Sequence, residues 1–327
     1  YFFNKKKMYR YGNIKKIKKA WKTKIFRYKR KNMTKNKSKS PIHKILIIFL
    51  LIIINIIILT FLPKQKFKYK QDDVTLVSAY YKIKSKHTPE EYLRWINNFV
   101  LLNRSMVFFS NKEFMPKIKE LRPKEYHSKT VFIELEMEDF YAYKNFYQDF
   151  EASFKIDSEN SYHTVPLYLI WAEKCSFVKK AIEANYFRSK CFYWINTGYF
   201  REHISEMQKY ASINWPKSDK CLSDERMIMG QITQFSEEEK KQIANFNLDA
   251  IRRVERNTNV AGCFFGGQIK NTMKFVNYYY DAIRLYIKNK LFIGKDQNLF
   301  TYVVFSHPEI VQLYFFKDYF EFKIHLQ

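Results

Sequence analysis

Two hydrophobic patterns divide the chain. The first is a continuous run from Ile45 to Leu62, ILIIFLLIIINIIILTFL, 18 residues interrupted only by Asn55 and Thr60. As a helix rising about 1.5 Å per residue it would span roughly 27 Å, enough for a thin bilayer core. A helix buried in a soluble core would need a polar face, and no small-residue cleavage pattern follows at Pro63-Lys64-Gln65. The run therefore predicts one transmembrane signal-anchor helix, not a removed signal peptide.

The second pattern begins at Val74 and alternates strand-like with helix-like periods. Val74–Tyr81 (VTLVSAYY) is rich in strand formers, and Thr88-Pro-Glu-Glu91 has the order of a helix cap. Tyr92, Trp95, Ile96, Phe99 and Val100 then recur at helical spacing. A strand is expected at Ser105–Ser110, a short helix around Phe114–Leu121 and a strand at Thr130–Leu135. Residues 161–188 read as a helix whose buried side carries Val165, Leu169, Trp171, Phe177, Val178, Ile182 and Phe187. The strand Cys191–Ile195 follows. The stretch 210–250 is more polar, with Ser236-Glu-Glu-Glu-Lys-Lys241 starting a solvated helix. Val260–Phe265 is the next strand, closed by Gly266-Gly267, and a long helix runs from Gln268 to about Lys290. After Gly294-Lys-Asp-Gln297 a helix or strand runs to the end. Strands separated by helices predict an α/β domain with a mostly parallel sheet flanked by helices. Ligands of such sheets bind beyond the carboxyl ends of the strands, so Ser78–Tyr81, Asn196–Gly198 and Gly262–Gly267 are where chemistry is expected.

Charge follows the same division. Residues 1–44 hold 18 Lys and Arg with no Asp or Glu, and four more Lys lie between Pro63 and Gln71. Of the net +26, only +4 is left from Asp72 onward. A nearly neutral domain behind a basic tail argues against nucleic acid as a partner, since phosphate contacts would place charge on the folded surface. By the positive-inside tendency, 1–44 is a cytoplasmic tail touching the lipid bilayer, 45–62 the span, 63–73 a stem and 74–327 a luminal domain. The expected topology is single-pass type II, in the endoplasmic reticulum or Golgi.

The chemistry-bearing residues are sparse. G-x-G-x-x-G, G-x-x-x-x-G-K-[ST], H-E-x-x-H and G-x-S-x-G do not occur, and the histidines have no ligand spacing. Four cysteines, Cys175, Cys191, Cys221 and Cys263, permit disulfides. Cys191 and Cys263 lie in apolar strand-like runs and read as buried free thiols. Asn103-Arg-Ser105 is a glycan-acceptor sequon. Three of the seven glycines fall at Gly262, Gly266 and Gly267. Such clustering fits either close approach of backbone to a ligand or a tight strand-to-helix turn. Asp296 is either a helix N-cap or a carboxylate that contacts a sugar hydroxyl or acts as a base. Lys174 either pairs with a diphosphate or is a solvated helix lysine.

The segments VTLVSAYY, YLIWAEKCSFVKKAI (Tyr168–Ile182), FYWINTGYFR (Phe192–Arg201), VAGCFFGGQIKNTMKF (Val260–Phe275) and FIGKDQNLF (Phe292–Phe300) together resemble the HtrL/YibB-like proteins, over about Val74–Phe320. The resemblance implies a GT-A-like nucleotide-sugar fold, with Ser78, Ala79, Tyr80 and Tyr81 at the donor's base. It also implies a strand-end motif W-x-D-x-G that binds Mn²⁺ or Mg²⁺ and the donor diphosphate. Here that motif reads Trp194-Ile-Asn196-Thr-Gly198, so Asn196 stands where the family has aspartate, a neutral and weaker ligand for a hard cation. On this reading Lys174, Trp194 and Gly198 serve the nucleotide-sugar donor. Gly262, Gly266, Gly267 and Gln297 face the acceptor or sugar side, and Asp296 is the base. The implied activity is sugar transfer from a nucleotide-sugar to a glycan or glycoconjugate acceptor. The alternative is an inactive member that binds glycan or protein.

Overall fold

Strands β1 (Val74–Tyr80), β2 (Ser105–Ser110), β3 (Thr130–Glu134), β4 (Cys191–Ile195), β5 (Met227–Gln231), β6 (Val260–Gln268) and β7 (Val311–Phe315) form one sheet. Their order is β3-β2-β1-β4-β6-β5-β7. The computed structural model describes residues 68–255, 259–317 and 321–327, together with Ile48 and Leu50. Those two residues aside, the expected tail and span and the start of the stem lie outside the described residues. Among the described residues no helix is long and apolar enough to cross a membrane. The chain is already tied into the fold at Asp72, whose carboxylate accepts from Arg104 at 2.9 Å and from the Ser105 amide at 3.0 Å.

The sheet is mixed. β1 pairs in parallel with β2 and β4, β2 with β3, and β5 with β7. β6 runs antiparallel to both β4 and β5, which corrects the mostly parallel expectation. Periodicity reports which residues are buried but not which way a strand runs, and this reversal left no mark in the sequence.

Helices cover both faces: α1 (Pro89–Phe99), α2 (Met115–Leu121), α3 (Tyr141–Ile156), α4 (Val165–Ala184), α5 (Ile204–Ser212), α6 (Ser218–Leu222), α7 (Glu237–Ala244), α8 (Leu248–Val254), α9 (Ile269–Lys288), α10 (Asp296–Ser306) and α11 (Phe322–His325). Alternate strand residues feed two cores. Val77, Phe192 and Trp194 join α3, α4, α9 and α10 on one side, while Leu76, Tyr193 and Ile195 join α1, α2 and α5 on the other. Burial on both faces is why the parallel strands read as continuous apolar runs. Each large side chain so buried contributes about 1.5–3 kcal/mol.

Local signals set the helix starts. Thr88 and Glu91 form the capping box expected for α1, and Ser236 with Glu239 forms another at α7. The helix expected at 161–188 is α4, begun by the Thr164 cap and ended by Asn185 in the left-handed conformation. Cys191 is not a free thiol: it is disulfide-bonded to Cys221 in α6, so the first residue of β4 is tethered across the apolar core beneath it. Cys263 is free.

Candidate functional site

Strand order reverses at β1. The chain steps outward from β1 to β2 and β3, then returns to place β4 on the other side of β1. A crevice beyond the carboxyl ends of two such strands is the expected ligand site of an α/β sheet. A cavity of about 450 Å³ opens there. β1 and the residue after it supply Ala79, Tyr80 and Tyr81, and the end of β4 supplies Trp194, Asn196 and Gly198. α4 supplies Trp171 and Lys174, and the first turn of α10 supplies Asp296 and Gln297. Because β6 runs backward, its start lies at this end, bringing Gly262 and Cys263 to the cavity. The Asn196 amide donates to the Cys263 carbonyl at 2.8 Å, which fixes the junction.

Lys174 and Asp296 are a buried pair, 3% and 4% exposed, with ammonium and carboxylate 2.5 Å apart. Lys174 also donates to the Gly262 carbonyl at 3.0 Å. Gly262 makes room for this unit, since a Cβ there would lie 2.6 Å from the Asp296 carboxylate. Asp296 is thus the first residue of α10, preceded by Lys295 at the cap position, and Lys174 is not a solvated lysine. Two of the three ammonium protons are used, leaving one donor on Lys174 for a ligand oxygen.

Asn196 is held by its neighbour. The Trp194 indole N–H donates to the Asn196 side-chain oxygen at 2.8 Å, and the Trp194 ring stacks on Phe177. Gly198 lets Trp95 close in from α1, where a Cβ would meet the indole at 3.0 Å. Arg201 lies over that ring, 4.0 Å from its centre, and donates to the Gly198 carbonyl. This donor set does not fit a divalent cation. Asn196 offers a single neutral oxygen that already accepts a hydrogen bond, whereas Mn²⁺ or Mg²⁺ is held chiefly by carboxylates. Asp296, a carboxylate lining the same cavity, is neutralised by Lys174.

Tyr80 and Tyr81 bring aromatic rings to the first strand end. Burial pushes the Tyr80 hydroxyl up to about 12 and raises Tyr81 further, so both are neutral hydrogen-bonding groups. The Tyr81 hydroxyl donates to the Leu135 carbonyl. Three expected site residues lie elsewhere. Ser78 is fully buried, and its hydroxyl bridges β1 to the Ile195 carbonyl. Gly266 and Gly267 do not close the strand but lie within β6, buried against β4 and β5. The Asn103 amide is engaged on both sides, by Asn214 and Lys129.

One cluster on the cavity wall was not foreseen. Asp157, the residue that caps the end of α3, is 7% exposed and accepts from the Glu159 amide, from His163 Nδ1 at 2.7 Å and from the Tyr168 hydroxyl. Glu159 is ion-paired with Lys295, and Glu159, His163 and Lys295 all line the cavity. Carboxylate and imidazole atoms of Asp157, Glu159 and His163 lie within 4.8 Å of one another, a spacing that could hold a metal. Their hydrogen-bond donors, Tyr168 and Lys295, already occupy that role, so the group reads as a hydrogen-bond network. No spacing rule links a residue ending one helix to a residue just before the next, so nothing along the chain marks the cluster.

Burial works to raise the Asp157 pKa, but the hydrogen bonds from Tyr168, Glu159 and His163 outweigh it and hold the carboxyl below its usual value. Stability from such a depressed carboxylate is fully present above the unfolded value near 3.8 and is lost as pH falls through the folded value. Asp157→Asn should therefore flatten the acid limb of a Tm-versus-pH curve below about pH 4. An unchanged acid limb would show that the network carries no net stability.

Residues 72–325 match the model of a family described as "Bacterial protein of unknown function (HtrL_YibB)". No curated protein matches the chain. Among solved structures, core-mannan synthase A from Aspergillus fumigatus, in an Mn/GDP form, is similar. It is 13% identical, and the similarity covers 75% of this chain and 73% of that one with a TM-score of 0.44.

Proposed function

The chain belongs to the HtrL/YibB family, and we propose that its cavity binds a nucleotide-sugar donor and passes the sugar to a glycan or glycoconjugate acceptor. The observation that carries this is the place and make-up of the cavity. It lies at the strand-order reversal and is large enough for a small organic ligand. It presents aromatic rings at one strand end and a lysine with an unused donor beside Asn196's strand end. In this reading Tyr80, Tyr81 and Trp171 pack on the flat or apolar parts of the donor, and Lys174 and Arg201 face the diphosphate. Gly262, Gln297 and Asp296 border the sugar. The fold assignment that goes with it is GT-A-like. The basic tail and the apolar run 45–62 support a type II anchor in an endoplasmic reticulum or Golgi membrane.

Asn196 favours a competing reading, a member that keeps the cavity without turnover. The two are separated by binding and transfer assays on the purified protein. Nucleoside diphosphates, UDP and GDP among them, are expected to raise Tm, because a ligand at 100 times its Kd stabilises by about 2.7 kcal/mol. Mn²⁺ should change that stabilisation little in the native chain, and Asn196→Asp should make it metal-dependent, with affinity in Mn²⁺ rising about tenfold or more. Failure of every nucleoside diphosphate to shift Tm rejects the donor-site reading. Binding without transfer, with transfer regained in Asn196→Asp, selects the inactive member.

A further inference from the structure

We propose that His163, oriented by Asp157, is the general base that takes the proton of the acceptor hydroxyl. The proposal rests on the transfer reading above. Asp157 is buried and collects three hydrogen bonds through its carboxylate, from the Glu159 amide, the Tyr168 hydroxyl and His163 Nδ1. A carboxylate has no proton to give, so the nitrogen facing it, Nδ1, is the one that carries hydrogen. In the neutral ring the lone pair is then on Nε2, the nitrogen on the far edge of the ring. His163 lines the cavity and its side chain is 12% exposed, enough to be reached and too little to be freely solvated.

The ring is fixed on more than one side. It meets Trp171 edge-on at 5.2 Å between ring centres and Tyr168 at 6.0 Å. Its backbone amide donates to the Glu159 carbonyl. Asp157 ends α3 while Tyr168 and Trp171 belong to α4, so two helices hold the imidazole. A histidine held this way needs no reorganisation to accept a proton. Asp296 is less suited, because Lys174 occupies its carboxylate in a buried pair.

The acceptor oxygen forms a bond to the anomeric carbon, and the bond from that carbon to the donor's phosphate oxygen breaks. The bonding pair leaves with the nucleoside diphosphate. The hydroxyl proton moves to His163 Nε2, which becomes imidazolium beside the Asp157 carboxylate and later releases the proton to water. Titratable groups that face the ring or share its network are Asp157, Glu159, Tyr168 and, through Glu159, Lys295.

His163→Asn is the diagnostic variant, because its amide can replace Nδ1–H toward Asp157 but has nothing at Nε2. With the purified protein, kcat for sugar transfer should fall about 10²- to 10⁴-fold with KM and Tm nearly unchanged. Asp157→Asn acts through the ring, so it should lower kcat less, with KM again nearly unchanged. Nitrogen-15 NMR of the histidines gives a readout independent of turnover: at neutral pH, His163 should carry its proton on Nδ1. A kcat within threefold of native in His163→Asn, or a proton found on Nε2, overturns the proposal and leaves the transfer reading standing. A native protein that transfers no sugar from any nucleotide-sugar rejects both.

Discussion

Lys174→Met is expected to destabilise the domain by about 3–5 kcal/mol, the usual effect of removing one partner from a buried ion pair. Methionine keeps most of the length of the side chain but leaves the Asp296 carboxyl, 4% exposed, without its cation. The Gly262 carbonyl loses its donor at the same time. For a domain of this size the loss corresponds to a Tm lower by on the order of 10 °C. The second arm is Lys174→Met combined with Asp296→Leu. Removing both charges should restore most of the stability, because an apolar pair of similar volume carries no desolvation cost. Stabilisation by nucleoside diphosphates should stay absent in both variants. A single variant that melts within a degree or two of native would show that the pair is not the buried unit described.

Gly266→Ala should be the more severe change. A Cβ at this position would lie 2.0 Å from the Phe192 carbonyl oxygen and 2.8 Å from the Tyr193 Cα, both backbone atoms of β4. The residue also has φ +145°, a conformation L side chains rarely adopt. No rotamer relieves a clash with a neighbouring strand, so β6 would have to leave β4. The expected loss exceeds about 4 kcal/mol, and soluble, cooperatively melting protein should be scarce. Gly262→Ala is the internal control. The three atoms nearest to its Cβ all belong to the end of the Asp296 side chain. It should therefore fold while disturbing the Lys174–Asp296 pair and nucleoside diphosphate binding. Equal behaviour of the two variants would contradict the distinction between a strand-packing glycine and a site glycine.

Much of the fold was legible because doubly buried parallel strands and capped amphipathic helices leave strong local signals. β1, β2, β4 and the capping boxes of α1 and α7 belong to this class. β5 and α3 are among the elements that escaped. β5 is a five-residue stretch, Met-Ile-Met-Gly-Gln, inside a polar region, too short to show a period. α3 carries Ala142, Phe146 and Phe150 at four-residue spacing, a stripe that tyrosines on its other sides obscure. The Cys191–Cys221 bond spans 30 residues, and cysteine spacing alone does not choose a partner.

The site was readable where it follows from strand ends. Tyr80, Tyr81, Trp194, Asn196, Gly198 and Gly262 meet at the cavity because strand termini converge at a reversal of strand order. Lys174 and Asp296, 122 residues apart, could be named singly, but their pairing is a tertiary fact. Gly266 and Gly267 were assigned to the site because clustered glycine has two physical causes, and sequence does not separate them. Here close strand packing is the cause. His163 and Asp157 have no pattern of their own, since each is defined by what the ends of two helices bring together.

The glycine pair also decides how the sheet can be assembled. Sliding β6 by one residue in one direction would put Phe265 where Gly266 faces the Phe192 carbonyl. In the other direction, Gln268 would take the place of Gly267, against the Met227 backbone. Either slip drives a side chain into a neighbouring main chain, in addition to turning every β6 residue to the wrong face. A misaligned β6 is thus incompatible with both of its neighbours in the sheet. The two glycines act as a proofreading device for the fold, and the placement of Gly262 and Cys263 beside Asn196 inherits its accuracy from them.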